Sequence, residues 1–402
     1  MTSVLISGAG IAGPALAFWL KAAGFEPAIV ERAPALRSGG YVIDFWGLGY
    51  DLAERMGLID EINRTGYHVR EMNVVDDTGR RVAGFGTTVF SELTGGRYVT
   101  LPRSTLSRLL FDKIKHGIET IFGDEIVALE QDADGVRVAL EHAGERRFDL
   151  VIGADGLHSS VRRLAFGPQS RFETHLGYAV AAFEASGYRP RDEDVYSMYG
   201  TPGRMLGRFT LHDDRTLFLF VFAASGTDLP PTLMAQKAVL RDLYGRGGWE
   251  CGKILSELDR ANELYFDSVS QIRLRNWSTE RVALVGDAAF CVSLLAGQGS
   301  ALAMIAAYVL AGELSACGGR YRQAFAGYEN RLRSYIASKQ RGARRFAGAF
   351  APKTPAGLYF RNMVIRAFAI PGLARFVISK DIADLIELPD YPWPALDRLT
   401  AA

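Results

Sequence analysis

Apolar residues recur along this chain with two periods, and each change of period marks an element. Val4, Leu5 and Ile6 form a continuous apolar run, as in a strand covered on both faces. A glycine-punctuated turn follows, and then residues 14–23 carry Leu16, Ala17, Leu20 and Ala23 at helical spacing. Residues 27–30 read as a second strand ending at Glu31. After Gly39 and Gly40, residues 41–45 are strand-like, and residues 48–56 and 58–63 read as helix with Gly57 at the break. Residues 72–76 and 81–85 predict a hairpin across Asp77, Thr78, Gly79 and Arg80. Residues 98–101 make a short strand before Pro102, Arg103 and Ser104, with Ser104 the expected cap of a helix that runs to Lys115. Strands are expected at 120–122, 125–131 and 136–141. Residues 148–152 have the near-continuous apolar character of a buried parallel strand and lead into Gly153, Ala154, Asp155 and Gly156. Ser159 to Arg163 then opens another helix.

From about residue 172 to 272 the texture shifts to longer strands. Residues 178–184, 196–199, 204–210 and 216–223 are expected to share one mixed or antiparallel sheet, followed by a helix at 233–244. Residues 281–285 return to the buried-strand pattern before Gly286 and Asp287, and helices are expected at 299–314 and 321–345. The division expected is a first part at 1–171, an inserted sheet domain at 172–272, a return to the first domain at 273–345 and a C-terminal helical segment at 346–402. Within that last part, residues 358–378 are amphipathic, with Arg361, Arg366 and Arg375 among Phe360, Met363, Ile365, Phe368, Phe376 and Val377, and Pro371 interrupting. An ordinary packed helix pair is the plainer reading; a lid over a substrate opening and a membrane-surface helix are the alternatives.

Composition narrows the function. A chain of 402 residues can bury a sizeable core in two or three domains, and a net charge of +1 gives no field for nucleic acid or an acidic membrane. Cys251, Cys291 and Cys317 sit far apart without a CxxC spacing, which fits a reducing cytoplasm better than a disulfide framework, and no metal site is expected. The first strand starts so early that no signal peptide is expected. Residues 288–312 hold no charge over 25 positions, enough to span a bilayer, but Gly297, Gln298, Gly299 and Ser300 interrupt them. A buried helix is expected there and no integral membrane span.

The turn after the first strand carries the chemistry. Gly8, Gly10 and Gly13 stand at G-x-G-x-x-G spacing between a strand and a helix. Gly8 permits the tight turn, Gly10 removes a side chain from the path of a pyrophosphate, and Gly13 lets helix and strand pack closely. The amides around Ile11 and Ala12 then face the phosphates at the positive end of the helix. Glu31, eighteen residues after Gly13, is placed to hold a ribose hydroxyl. Dinucleotide binding follows.

Three motifs taken together (Gly8 to Gly13 with Glu31 and Arg32; Gly153-Ala154-Asp155-Gly156; Gly286-Asp287-Ala288-Ala289 with Gly297-Gln298-Gly299) resemble the single-component, class A FAD-dependent aromatic monooxygenases over roughly residues 1 to 340. The runs 13–20, Phe266-Asp267 with Gln271-Ile272, and 308–314 look most like the tetracycline-destructase branch, which also has a C-terminal helix near its substrate opening. The resemblance implies an α/β fold: a Rossmann-like FAD-binding domain, an inserted mixed β-sheet substrate domain, and C-terminal helices. It implies that Glu31 holds the adenosine ribose with Arg32 along the adenine, and that Arg103 reaches the FAD phosphates or ribityl chain. Asp287 would accept from a ribityl hydroxyl, with the amides that follow facing the flavin, and Gly286, Gly297, Gln298 and Gly299 would belong to the same cofactor site. Asp44 would lie near the flavin, Asp155 and Gly156 would serve both FAD and NADPH (or NADH), and Arg37 would meet NADPH. Plainer alternatives exist: Asp155 and Asp287 as helix caps, and Arg37, Asp44 and Arg103 as solvated charges. Where many members have a histidine and then a pair of prolines, this chain has Phe290 and then Ser293-Leu294.

The implied activity is NAD(P)H-consuming hydroxylation by O₂ of a small aromatic or polyketide-like substrate, via a flavin C4a-hydroperoxide. No side-chain acid or base is singled out. Met198, Met205, Phe209, Phe218, Phe220 and Phe222 are candidates for a dry pocket wall, with core packing as the alternative. A flavin dehydrogenase or reductase, and a drug-sequestering flavoprotein with little turnover, stay open; no W-x-W-x-I run points to a halogenase. Oligomeric state is open, a monomer included.

Overall fold

A computed structural model describes residues 1–37, 39–226, 228–370, 386–396 and 399. The apolar run at residues 4–6 becomes strand Ser3–Ser7, in the middle of a six-stranded sheet ordered Ser278–Thr279, Val282–Leu284, Leu150–Gly153, Ser3–Ser7, Glu26–Glu31, Glu119–Phe122. All neighbours in it are parallel except the terminal hairpin, and Leu5 sits between Val151 and Ala28. Helix Ala12–Ala22 lies on this sheet with Phe18 and Trp19 fully buried. Helix Gly299–Ala316 packs on it and on helices Gly47–Arg55 and Tyr321–Phe350. By length and composition that apolar helix is able to cross a membrane, yet most of it is buried inside the protein, as a core helix is.

A second sheet has seven strands, ordered Tyr265–Ile272, Glu173–Ser186, Arg215–Ala223, Arg204–Thr210, Val195–Thr201, Glu71–Val75, Arg81–Gly86. Its strands are antiparallel except where Val195–Tyr199 runs parallel to Glu71–Val75. The expected hairpin near residue 76 therefore extends the inserted sheet. Helices Leu233–Tyr244 and Cys251–Arg260 cover one face of it, burying Phe218, Phe220 and Phe222 against Leu240, Tyr244, Ile254 and Leu258. Met198 and Met205 pack in a second cluster and Phe209 in a third. All six candidates for the dry wall are core side chains.

Several expectations change in detail. The apolar stretch at 148–152 is two strands, not one. Gly144–Phe148 pairs in an antiparallel three-stranded sheet, and Leu150–Gly153 joins the parallel one. The break falls at Asp149, whose carboxylate accepts from the Ser3 amide at 2.7 Å and the Ser3 hydroxyl at 2.9 Å. Ser104 is not a cap: helix Arg103–Asp112 begins after Pro102, with no side-chain cap. The last helix described is Pro355–Ala367, capped by Thr354 and packed on strand Arg81–Gly86. Of the amphipathic stretch, Pro371, Arg375, Phe376 and Val377 lie outside the described residues.

Candidate functional site

The carboxyl ends of the parallel strands open into a cavity of about 260 Å³, the place where ligands bind in sheets of this kind. Strand Ser3–Ser7 leaves the sheet through Gly8, at φ +108°, whose amide donates to Val30 O at 2.7 Å. A side chain at Gly8 would meet Ala154 O at 2.6 Å, and one at Gly13 would come within 1.9 Å of Gly8 O. A Cβ at Gly10 meets only the Arg103 guanidinium, at 3.5 Å. Two of the glycines are closed in by backbone, and the third looks into the cavity. Ser107 braces the turn from helix Arg103–Asp112, donating to Gly10 O at 3.2 Å. Glu31 closes it from the next strand end, accepting from the amides of Ala9 at 2.7 Å and Ala33 at 2.8 Å.

On the other flank of the Gly8 turn, Asp155 accepts from the Ser159 hydroxyl at 2.5 Å and the Val161 amide at 3.1 Å. It does brace the helix start, and it lines the cavity as well. Burial raises its pKa, while those hydrogen bonds pull the other way. Asp287 opens the short helix Asp287–Phe290; burial raises its pKa too, with the Arg103 charge and the Cys291 thiol opposing. Burial, then the Asp287 charge, holds the Cys291 thiol well above its usual pKa. Behind these loops lies Arg162, fully buried. Its guanidinium donates to Leu157 O at 2.6 Å, Ala288 O at 3.0 Å and Gln169 Oε1 at 3.0 Å. One planar cation thus ties the loop after Gly156 to the turn after Asp287.

An open-sided glycine, a helix N-terminus and a carboxylate at the next strand end suit a dinucleotide. Comparison with known proteins agrees. An FAD binding domain family matches residues 1–338. A protein of Legionella longbeachae named flavin-dependent monooxygenase is 32% identical over 84% of this chain and 87% of its own length. The chain belongs to this family of FAD-dependent monooxygenases. An uncharacterized protein of Mycobacterium tuberculosis is 39% identical over 85% of this chain and 92% of its own length. The crystal structure of tetracycline destructase Tet(51) aligns with a TM-score of 0.82 at 30% identity, covering 97% of this chain and 100% of that one.

In this monooxygenase the cavity collects Gly8, Gly10, Ile11, Ala12, Glu31, Arg32, Arg37, Arg103, Asp155, Gly156, Asp287, Gly297 and Gly299. Gly13, Asp44, Gly286 and Gln298 are not in its lining. Gly13 is sealed against Gly8, and Gly286, at φ +64°, makes the turn into the Asp287 helix. Asp44 and Gln298 meet instead in a separate small hollow. The cavity wall also holds residues that sequence reasoning did not assign. Tyr41 and Tyr265 face each other with centroids 5.5 Å apart, burial pushing Tyr41 up to about 12. His158 pairs with Asp267 at 3.1 Å, and chiefly that bond raises its pKa. Tyr265 and Asp267 alternate on one strand, so the sequence signals were polar spacing of two on a strand and, for Asp267, the Phe266-Asp267 run, which carried a resemblance but no role.

The departure at Ser293 has a structural counterpart. Ser293 has φ +154°, ψ +140°, a conformation closed to proline, whose ring holds φ near −65°. The stretch is held by amides from behind: Gln271 Nε2 donates to Val292 O at 2.7 Å, and Gln340 Nε2 to Ile272 O at 2.8 Å and Cys291 O at 3.2 Å. Ser293→Pro is therefore expected to reshape the cavity wall and weaken FAD retention at least tenfold with little change in far-ultraviolet circular dichroism. FAD titration followed near 450 nm checks it.

Proposed function

We propose that this protein hydroxylates a small aromatic or polyketide-like molecule with O₂ while consuming NAD(P)H, and that the cavity over Gly10 holds FAD. The observation that carries the reading is the convergence of Gly10, Glu31, Arg103, Asp155 and Asp287, from five separate stretches of chain, on one cavity. Bound FAD supplies hydride acceptance and oxygen activation. The chain's residues do the rest. The amides around Ile11 and the Arg103 guanidinium take the diphosphate charge, and Glu31 turns from its amide partners to a ribose hydroxyl. Asp287 accepts from the ribityl chain. Arg32 lies along the adenine, Arg37 at the rim offers positive charge to the nicotinamide dinucleotide, and the core behind Tyr41 and Tyr265 keeps the reacting face dry. On this reading residues 1–171 and 273–345 build the cofactor body and 172–272 the substrate layer, joined by the hairpin at Glu71–Gly86. The three free thiols, all buried, support a cytoplasmic setting.

The test is purified protein with FAD, NADPH and a panel of phenolic polyketides. A product heavier by one oxygen, formed with matching NADPH consumption, supports the proposal; NADPH consumption without oxygenated product points to a reductase instead. Gly10→Val gives the sharper structural check. Only the flexible Arg103 end lies near a new Cβ, so the fold is expected to melt within about 3 °C of wild type. The branched side chain would stand where the diphosphate must pass, so FAD retention should fall a hundredfold or more. Equilibrium dialysis with FAD measures it.

A further inference from the structure

The two-stranded ribbon of Val42–Trp46 and Tyr98–Pro102 separates two spaces. Tyr41 and Ile43 line the cofactor cavity. Asp44 and Trp46 line the small hollow with Gln298, Leu302 and Tyr335. Successive side chains on a strand point to opposite faces, so Asp44 is turned away from the place where the dinucleotide residues converge.

Its surroundings are those of a recognition carboxylate. Asp44 Oδ1 accepts from the Tyr98 hydroxyl at 2.8 Å and the Thr100 hydroxyl at 2.5 Å, which fix the group in place. No other donor, and no basic side chain, is bonded to Asp44 among the described residues, which leaves Oδ2 open. The side chain is accessible to solvent, yet enclosed enough that burial raises its pKa; both hold together inside a concave space. Within reach of the Asp44 charge stands Tyr196 of the seven-stranded sheet, whose hydroxyl has no hydrogen-bond partner among the described residues. A fixed carboxylate oxygen beside the Trp46 and Tyr98 rings, whose centroids are 6.2 Å apart, with a phenolic hydroxyl in the neighbourhood, suits a ligand that brings its own donor on an aromatic ring.

We propose that Asp44 Oδ2 accepts the hydrogen bond of a phenolic hydroxyl of the substrate, with the Tyr196 hydroxyl beside it, so that the enzyme selects rings carrying a free O–H at that edge. The inference rests on the proposed hydroxylation of an aromatic substrate and assigns its recognition group. A site built around a hydroxyl donor rejects the analogue that lacks it, because the carboxylate is then left dry and unpaired.

The test uses FAD-loaded enzyme and pairs of naphthols and larger phenols with their methyl ethers, binding being read from the change in flavin absorbance. Wild type is expected to bind at least one phenol about thirtyfold or more tighter than its ether, and Asp44→Asn to shrink that ratio to within about threefold while holding FAD as well as wild type. Thr100→Val keeps the carboxylate but removes one of the hydroxyls that fix it. It should lower the ratio about threefold, which gives a second reading in case the asparagine variant does not fold. The proposal is overturned if wild type shows no phenol preference, if either folded variant keeps the full ratio, or if Asp44→Asn loses FAD, which would return the residue to the cofactor. It is equally overturned if a naphthylmethylamine outcompetes the naphthol in an Asp44-dependent way, since the donor recognised would then be a cation. Failure of the hydroxylase reading shows separately, as wild type that takes up no FAD before any phenol is added or that consumes NADPH without forming an oxygenated product.

Discussion

Gly13→Ala is expected to abolish FAD binding and to lower the melting temperature by several degrees, although it replaces a helical glycine by the best helix former. In an exposed helix interior that exchange would stabilise by about 1 kcal/mol. Here the new methyl would sit 1.9 Å from Gly8 O and 3.1 Å from Gly8 C. Backbone cannot rotate aside as a side chain can, and Gly8 itself is pinned by the hydrogen bond its amide donates to Val30 O and by Ala154 on its other side. Either helix Ala12–Ala22 lifts from the sheet or the turn opens. Overpacking of this kind costs about 1–3 kcal/mol and sometimes more, which outweighs the propensity gain. The shift falls on the amides proposed to meet the diphosphate. Thermal denaturation together with FAD titration checks both halves. Gly10→Val should separate them, losing the cofactor and keeping the fold; if both variants behave alike, the turn is structural only.

That contrast shows what the sequence makes legible. The turn at Gly8, the tight packing at Gly13 and the place of Gly10 at the cavity depend on a strand, a turn and a helix that adjoin in sequence, so spacing alone reports them. The place of Glu31 at the cavity is legible for the same reason, one strand further on. Asp44 was not, because a resemblance places a residue near a cofactor without saying which face of its strand it occupies. A one-residue step along Val42–Trp46 moves a side chain from the Ile43 cavity to the Asp44 hollow. Asp149 hid a strand break because Phe148 and Leu150 are apolar on either side of it, and only pairing with Ser3 reveals that the chain changes sheets there. Helix Cys251–Arg260 was not assigned although Cys251, Ile254, Leu255 and Leu258 repeat at helical spacing; Gly247 and Gly248 before it and Gly252 within it weaken the helical signal. His158 with Asp267, and Gln271 with Gln340, are contacts between distant segments, which no local period can report.

Arg162→Met should be the most damaging exchange outside the glycine turn. Methionine fills much of the volume but donates nothing, so Leu157 O, Ala288 O and Gln169 Oε1 would each lose a charged donor, the Ala288 bond in a fully buried place and the other two in partly buried ones. An unsatisfied buried acceptor costs about 1–3 kcal/mol, and two of these are backbone carbonyls unable to turn toward water. A loss of about 3–5 kcal/mol is expected, read as a shift in the urea midpoint. Burial already lowers the pKa of Arg162, with Asp155 the foremost of the charges that oppose this; removing the cation therefore leaves Asp155 and Asp287 less well compensated. Both line the cavity, so FAD release should quicken at least tenfold in stopped-flow dilution even where the fold survives. Arg162→Lys separates geometry from charge. One ammonium keeps the positive charge but cannot reach three acceptors that a planar fork spans, so it should recover part of the stability and little of the FAD retention. If lysine restores retention fully, the two loops are held by charge alone, and the guanidinium clamp between Leu157 and Ala288 is not what shapes the cavity.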